Sequence, residues 1–231
     1  MRVLQVLLLV LPLGLPAAAW AQRSPVLVEL YTSQGCSSCP PADALFADLA
    51  AKPDVIALAL HVDYWDYLGW EDKFARPEHT DRQRKYAKAA RERSIYTPQL
   101  IVQGVDRVVG ADAEAVLAAI SAHQARPVGA RLRLERDDAV LRIRLAPAAD
   151  SGPSVVYLVR FQPRETVEIA DGENAGQTID YTNIVSDWSA VARWDGLVEA
   201  EFGVDLGDGE PGAVVVQRER LGPVLTAAML P

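Results

Sequence analysis

Cysteine is almost absent: the 231 residues hold two, Cys36 and Cys39. A chain of this length with 50% apolar residues fills its cores without disulfide staples. A bridge across four residues also constrains the unfolded chain very little, so the pair suits exchange better than stapling. Histidine is nearly as scarce, at positions 61, 79 and 123 only. Zinc asks for four ligands, usually a second cysteine pair or two nearby histidines, and no zinc site is expected. Basic residues number 23 against 31 acidic ones, a formal net charge of -8. Phosphate binding needs a basic face, so nucleic acid is not expected as a partner. Past residue 126 there is neither His nor Cys, and catalysis in that half would have to rest on carboxylates. Low-complexity tracts and long internal repeats are missing too.

The one long apolar run is at the start. Arg2 precedes Val3 to Leu15, broken only by Gln5, Pro12 and Gly14, and Ala19-Trp20-Ala21 has the small-x-small form that a signal peptidase accepts. The run falls short of the ~20 apolar residues that span a bilayer. Residues 1–21 therefore read as a signal peptide, with a mature chain starting near Gln22, exported to the periplasm or medium and without stable membrane insertion. An uncleaved amphipathic anchor is the alternative. Processing removes Arg2 and no acid, leaving 22 basic against 31 acidic residues, a net -9.

Two regions follow with different periods. Over residues 22–126, apolar runs alternate with helical patterns, the sequence form of strands joined by crossover helices. Val26 to Tyr31 reads as a strand. Ala42, Leu45, Phe46 and Leu49 mark one helix face, and Val55 to Val62 suits a buried strand. A long aromatic connection comes next. Thr80 and Gln83 predict a capping box for a helix from Asp81 to about Arg93, whose many cations imply a solvated face. Strands at Ile95 to Val102 and Arg107 to Val109 lead to a helix from Asp112 to Ala125. Beyond Arg126-Pro127 the period is two, with "ARLRLERD" and "AVLRIRLA" as a hairpin around Asp137-Asp138. Residues 127–231 thus predict an antiparallel, sandwich-like β domain.

In "ELYTSQGCSSCPPADALFADLA" the order is strand, turn, C-x-x-C, helix. The helix N-terminus carries partial positive charge, which favours the thiolate that attacks disulfides. Cys36, nearer the turn, is the expected attacking sulfur, and Cys39 the resolving one. Far along the chain, Thr97-Pro98 interrupts an apolar strand, where proline cannot donate to the ladder. A cis bond in a tight turn beside an active site would account for it.

Strand, C-x-x-C at a helix start, strand, helix, Thr-Pro strand, strand, helix resembles the thioredoxin fold. That resemblance implies an α/β thioredoxin-like N-terminal domain followed by the all-β C-terminal domain. It implies that the Thr97-Pro98 loop docks an extended substrate, and that Glu29 in the preceding strand is a buried carboxyl moving a proton to or from Cys39. Ser37-Ser38 stands where thioredoxin has Gly-Pro, so no redox potential carries over. A second resemblance is more specific. "ELYTSQGCSSCPPADALFADLA", "ALHVDYWDYLGWEDKFA", "YTPQLIVQG", "NAGQTIDYTNIV" and "VVVQRERLGPVLTAAM" are similar to the signature blocks of a secreted bacterial family catalogued as domain of unknown function 1223. That family implies the same two-part plan and supplies no reaction.

These features predict an exported thiol–disulfide oxidoreductase acting on protein or peptide thiols and disulfides without a cofactor. Cys36, Cys39 and Glu29 are its catalytic residues, and Thr97, Pro98, Trp65 and Trp70 its substrate-binding ones. The aromatic run of Tyr64, Trp65, Tyr67, Trp70 and Phe74 reads either as a groove wall beside Cys36 or as packing of a long connection. Asp63, Asp66 and Asp72 within it lack calcium-loop spacing and read as solvated carboxylates. The rival reading is a periplasmic binding or copper-handling protein in which Cys36, Cys39 and His61 hold Cu(I). Against it, His61 also reads as a hydrogen-bonded core residue.

Overall fold

The computed structural model describes residues 24–148, 151–207, 209 and 211–231. Residues 1–21, expected to be a signal peptide, lie outside the described residues. In chain order the elements are β1 (Val26–Thr32), α1 (Pro40–Ala50), β2 (Val55–His61), a 3-10 turn (Asp66–Leu68), α2 (Pro77–Ala89), β3 (Gln99–Val102), β4 (Asp106–Val109) and α3 (Ala113–Gln124). Then come β5 (Arg131–Asp137), β6 (Val140–Ala146), β7 (Ser154–Glu168), β8 (Thr178–Trp194), β9 (Ala200–Asp205), β10 (Gly212–Arg218) and β11 (Val224–Met229). Asp112 caps α3 by accepting from the Ala115 amide.

The expected plan, an α/β thioredoxin-like N-terminal domain followed by an all-β C-terminal domain, is not the one the chain adopts. The fold is mostly β, and one mixed eight-stranded sheet runs through both halves in the order β11-β10-β7-β8-β2-β1-β3-β4. The junction is β8, which meets β2 in parallel at Ala59 opposite Ile184. The cause lies in the length of β7 and β8. At 15 and 17 residues they outrun the second sheet, β5-β6-β9, and their far ends reach the first half. Local period reveals that a segment is a strand; it is blind to which strand will be its neighbour.

Three apolar layers follow from this arrangement. One joins Val28, Leu30, Ala57 and Ala59 to Ala42, Phe46 and Leu49 of α1 and to Val116 and Ile120 of α3. A second packs the β5-β6-β9 sheet, through Leu141, Ile143 and Leu145, onto Val156, Leu158, Val214 and Val216. The third, on the sheet face away from α1, unites Leu27, Ile56, Leu60 and Ile101 with Val159, Phe161, Val185, Val215 and Ala227. That layer draws on both sides of residue 126, so neither half completes it alone.

Helix α2 also departs from expectation. It begins at Pro77, a residue suited to the first helical position because its missing N–H has no partner there anyway. Thr80 and Gln83 do not cap it. The Thr80 hydroxyl donates to Asp63 Oδ1 at 2.6 Å, and Gln83 Nε2 donates to the Tyr96 carbonyl at 2.8 Å and to Gln99 Oε1 at 2.9 Å. Nor is its basic face wholly solvated, because Arg82 and Tyr86 are buried.

Candidate functional site

Cys36 and Cys39 are joined as a disulfide, with Cα atoms 5.4 Å apart. The chain leaves β1 through a turn closed by the Cys36 amide on the Ser33 carbonyl, and Cys39 caps α1, its carbonyl receiving the amides of Ala42 and Asp43. Both cysteines are buried, Cys36 at 1% exposure, while Ser37 and Ser38 between them are exposed. The turn is held from a distance in sequence. Asn174, in the loop 169–177 joining β7 to β8, donates through Nδ2 to the carbonyls of Gln34 and Cys36 at 2.8 and 2.9 Å. The Ser37 amide donates to Glu173 Oε2 at 3.4 Å.

The Thr97-Pro98 bond is cis. Pro98 lies close to the start of α1: a Cβ placed on Gly110 would come within 2.9 Å of Pro98 Cβ and 3.1 Å of Ala42 Cβ. Only glycine fits between them, and Gly110→Ala is expected to cost about 1–3 kcal/mol by overpacking, read as a lower urea midpoint. Trp65 bridges the two loops. Its Nε1 donates to Thr97 Oγ1 at 2.7 Å, while a Cβ on Gly35, next to Cys36, would meet Trp65 Cβ at 3.2 Å. Trp70 is placed differently. Its Nε1 donates to Gln34 Oε1 at 2.7 Å, and its ring packs with Phe74 against Val167, Ile169, Ile179, Tyr181 and Ile184. Trp65 packs onto the layer of Leu27, Tyr31 and Val62, Trp70 packs elsewhere, and Tyr67 stands 78% exposed.

Side chains alternate along β1, so Glu29 shares a face with Leu27 and Tyr31, away from α1 and the cysteines. The expectation that it serves Cys39 is therefore corrected. Its carboxylate accepts from Arg82 Nε at 2.7 Å and Nη2 at 3.0 Å, from Tyr86 OH at 2.7 Å and from Tyr31 OH at 3.0 Å. The carboxyl on the cysteine side is Asp43, one helical turn beyond Cys39 on the inward face of α1. Burial pushes Asp43 up to about 7, against the His61 charge and the Thr32 hydroxyl and with help from Asp72. Thr32 and His61 end β1 and β2 on this same face, as register partners.

His61 is fully buried, its Nδ1 2.7 Å from Asp72 Oδ2, with the rings of Phe74 and Tyr181 edge-on at 5.2 and 4.9 Å. Burial alone would lower His61, yet the Asp72 carboxylate outweighs it and raises the imidazole. Burial alone would raise Asp72, but His61 and the amides of Gln34 and Phe74 hold it low. Asp72 is thus no solvated carboxylate. The copper set of Cys36, Cys39 and His61 does not assemble: among the described residues no group of three His, Cys, Asp or Glu side chains is disposed to hold a metal.

Sequence reading missed Asp43 and Asn174 and took Asp72 for a solvated carboxylate. Asp43 carried a signal in its i+4 spacing from Cys39, whereas Asn174 depends on a hairpin 138 residues away from Cys36.

A family model described as "Protein of unknown function (DUF1223)" matches residues 27–217. A crystal structure of an Agrobacterium tumefaciens protein is similar at 30% identity and a TM-score of 0.78, covering 91% of this chain and 96% of that one. HBP35 of Porphyromonas gingivalis resembles the chain in fold alone, at 12% identity and a TM-score of 0.53, over 90% of this chain and 74% of that one. No curated protein matches the chain.

Proposed function

The chain belongs to that family of unknown function, and we propose that it is an exported thiol–disulfide oxidoreductase exchanging disulfides with protein or peptide substrates through Cys36 and Cys39. The observation that carries this reading is the setting of the disulfide. It sits at the start of α1, between the Trp65–Thr97–Pro98 wall and a buried carboxyl whose proton affinity falls near neutrality. Export is supported by the leader-like residues 1–21 and by the oxidised pair, since disulfides persist outside the cytosol.

A substrate thiolate attacks Cys36, the S–S electrons pass to Cys39, and Asp43 supplies the proton that makes Cys39 a thiol. A second substrate thiolate then breaks the mixed disulfide and frees Cys36. Thr97 and Pro98 border the site and offer the backbone edge along which an extended substrate would lie. Reversal of the same steps reduces a substrate disulfide.

The test is a redox equilibrium against glutathione, followed by alkylation of Cys36 and Cys39. A potential between about -270 and -120 mV is expected, and one below about -300 mV marks an inert structural bridge and overturns the reading. Cys39→Ser should accumulate mixed disulfides with substrate, and Cys36→Ser should abolish exchange.

A further inference from the structure

Behind the disulfide, beside the likewise unpartnered Thr32 Oγ1, four more polar side-chain atoms on four segments have no hydrogen-bond partner among the described residues: Gln34 Nε2, Asp43 Oδ2, His61 Nε2 and Tyr181 OH. All four residues are more than nine-tenths buried. They converge on one region. The His61 and Tyr181 rings are 4.9 Å apart, Asp43 feels the charges of His61 and Asp72, and Tyr181 feels those of Asp43 and Asp72. The Gln34 amide binds the same Asp72 oxygen as His61 Nδ1. Trp70 Nε1 can only donate, so Gln34 Oε1 faces it and the Nε2 donors are left over.

Each buried polar group without a partner costs roughly 1–3 kcal/mol, and four in one place point to a shared occupant. The donor set says what it is. Gln34 Nε2 donates, Asp43 accepts, and Tyr181 OH and His61 Nε2 can do either according to their protons. Water matches such a mixture, because an internal water makes about three hydrogen bonds to otherwise unsatisfied groups.

We propose that Gln34 Nε2, Asp43 Oδ2, His61 Nε2 and Tyr181 OH enclose an internal water site, through which the proton given to Cys39 is replaced on Asp43 from the His61–Asp72 pair. The proposal rests on the thiol-exchange reading above and adds the route of the proton. When the S–S bond breaks, its electron pair goes to Cys39 and the Asp43 proton follows. In the same step the imidazolium of His61 passes a proton to Asp43 through the bridging water, and neutral His61 then regains one from solvent, where the attacking thiol released its own. Asp72 stays ionised and fixes the ring, so Nε2 is the nitrogen turned to the water. The groups that face Asp43 are Thr32 from β1, His61 from β2, Asp72 from the aromatic connection and Tyr181 from β8. His61 and Tyr181 are positioning and relay residues here, acting on Cys39 only through Asp43.

The test is the rate at which dithiothreitol reduces the oxidised protein between pH 5 and 9, read by alkylation quench and divided by the thiolate fraction of the reductant. The parent should show a fall of about 100-fold as Asp43 loses its proton near pH 7. Asp43→Asn should run at the low rate throughout, with no step. His61→Gln should move the midpoint above 7, because the charge that holds Asp43 down is gone. Tyr181→Phe keeps the ring packing and removes one partner of the water; it should slow the reaction about tenfold below the step. The relay is overturned if Tyr181→Phe matches the parent within twofold, or if the parent profile is flat. It is also overturned if a high-resolution crystal structure shows no water between Asp43 and His61. A flat profile with exchange intact sinks the relay alone. A stepped profile in a protein with a potential below about -300 mV sinks the oxidoreductase reading alone.

Discussion

Replacing Arg82 by methionine should destabilise the protein by about 3–5 kcal/mol, because it strands the Glu29 carboxylate in the interior without its cation. The arginine is engaged on every side. It donates to both Glu29 oxygens and through Nη2 to Tyr86 OH and Gln217 Oε1, and its guanidinium lies 3.8 Å from the Trp188 ring centroid. Gln217 in turn donates to Tyr86 OH at 2.7 Å and to the Gly222 carbonyl at 2.9 Å. One ion pair thus ties β1, α2 and β10 together across the core. The double variant Arg82→Met with Glu29→Gln should recover most of the loss, since a buried pair replaced whole by neutral groups often costs little. Urea midpoints at unchanged slope measure both. A single-variant loss under about 1 kcal/mol would mean that water reaches Glu29 and that the pair is not a buried one.

The second large effect is in the pH dependence of stability, where two buried groups oppose each other. Asp43 is raised by burial from 3.8 to about 7 in the folded protein. It binds more protons folded than unfolded, so its contribution is fully present below 3.8 and is lost as pH rises through 7. Integrated, the loss is on the order of 4 kcal/mol. His79 runs the other way. Burial lowers it from 6.5 to about 4, against the hydrogen bond to the His61 carbonyl, so its contribution is present above 6.5 and lost as pH falls through 4. That swing is on the order of 3 kcal/mol. Between pH 4 and 6.5 the two slopes cancel in the parent. Asp43→Asn should therefore become steadily more stable than the parent as pH rises from 4 to 8, and His79→Gln should gain on the parent as pH falls from 6.5 to 4. Unfolding curves at pH 4, 5.5 and 8 decide it; an Asp43→Asn advantage that does not change with pH would show that the parent's Asp43 titrates like an exposed carboxyl.

What sequence made legible was local. The cysteine turn, the helix after it, the hairpin at Asp137-Asp138 and the special place of Pro98 all follow from short-range rules about period, turns and proline, and the elements appear within a few residues of where those rules put them. Long-range partnership was not legible. Arg82 stands in "RQRKYAKAARERS", where charge counting predicts solvent, and only its pairing with Glu29, 53 residues away, takes it inside. Asp43 resembles an ordinary first-turn acid of a helix until β8 packs against α1 and Tyr181 comes to face it. Glu29 was assigned to the cysteines because a buried carboxyl in that strand was expected. The period-two rule applied to β1 and β2 together puts Thr32 and His61, and not Glu29, on the α1 side. The two-domain plan failed for the same reason, since a change of period at Arg126-Pro127 marks a change of element type and not a boundary of the core.

The sheet that crosses residue 126 also sets an order of events in time. Ser24 and Thr226 share a hydrogen bond at 3.0 Å, and the Gln103 side chain donates to the Val224 carbonyl at 3.1 Å. The face of β1 that carries Leu27 is thus covered by β11, which carries Ala227. A growing chain cannot bank a folded N-terminal half on the way, as multidomain proteins commonly do. Leu27, Ile56 and Ile101 stay uncovered until Val215 and Ala227 arrive, and contacts over such sequence distances form slowly. The native core is consequently completed only when the late strands are present, and the outer edge of β2 stays open until β8 pairs with it.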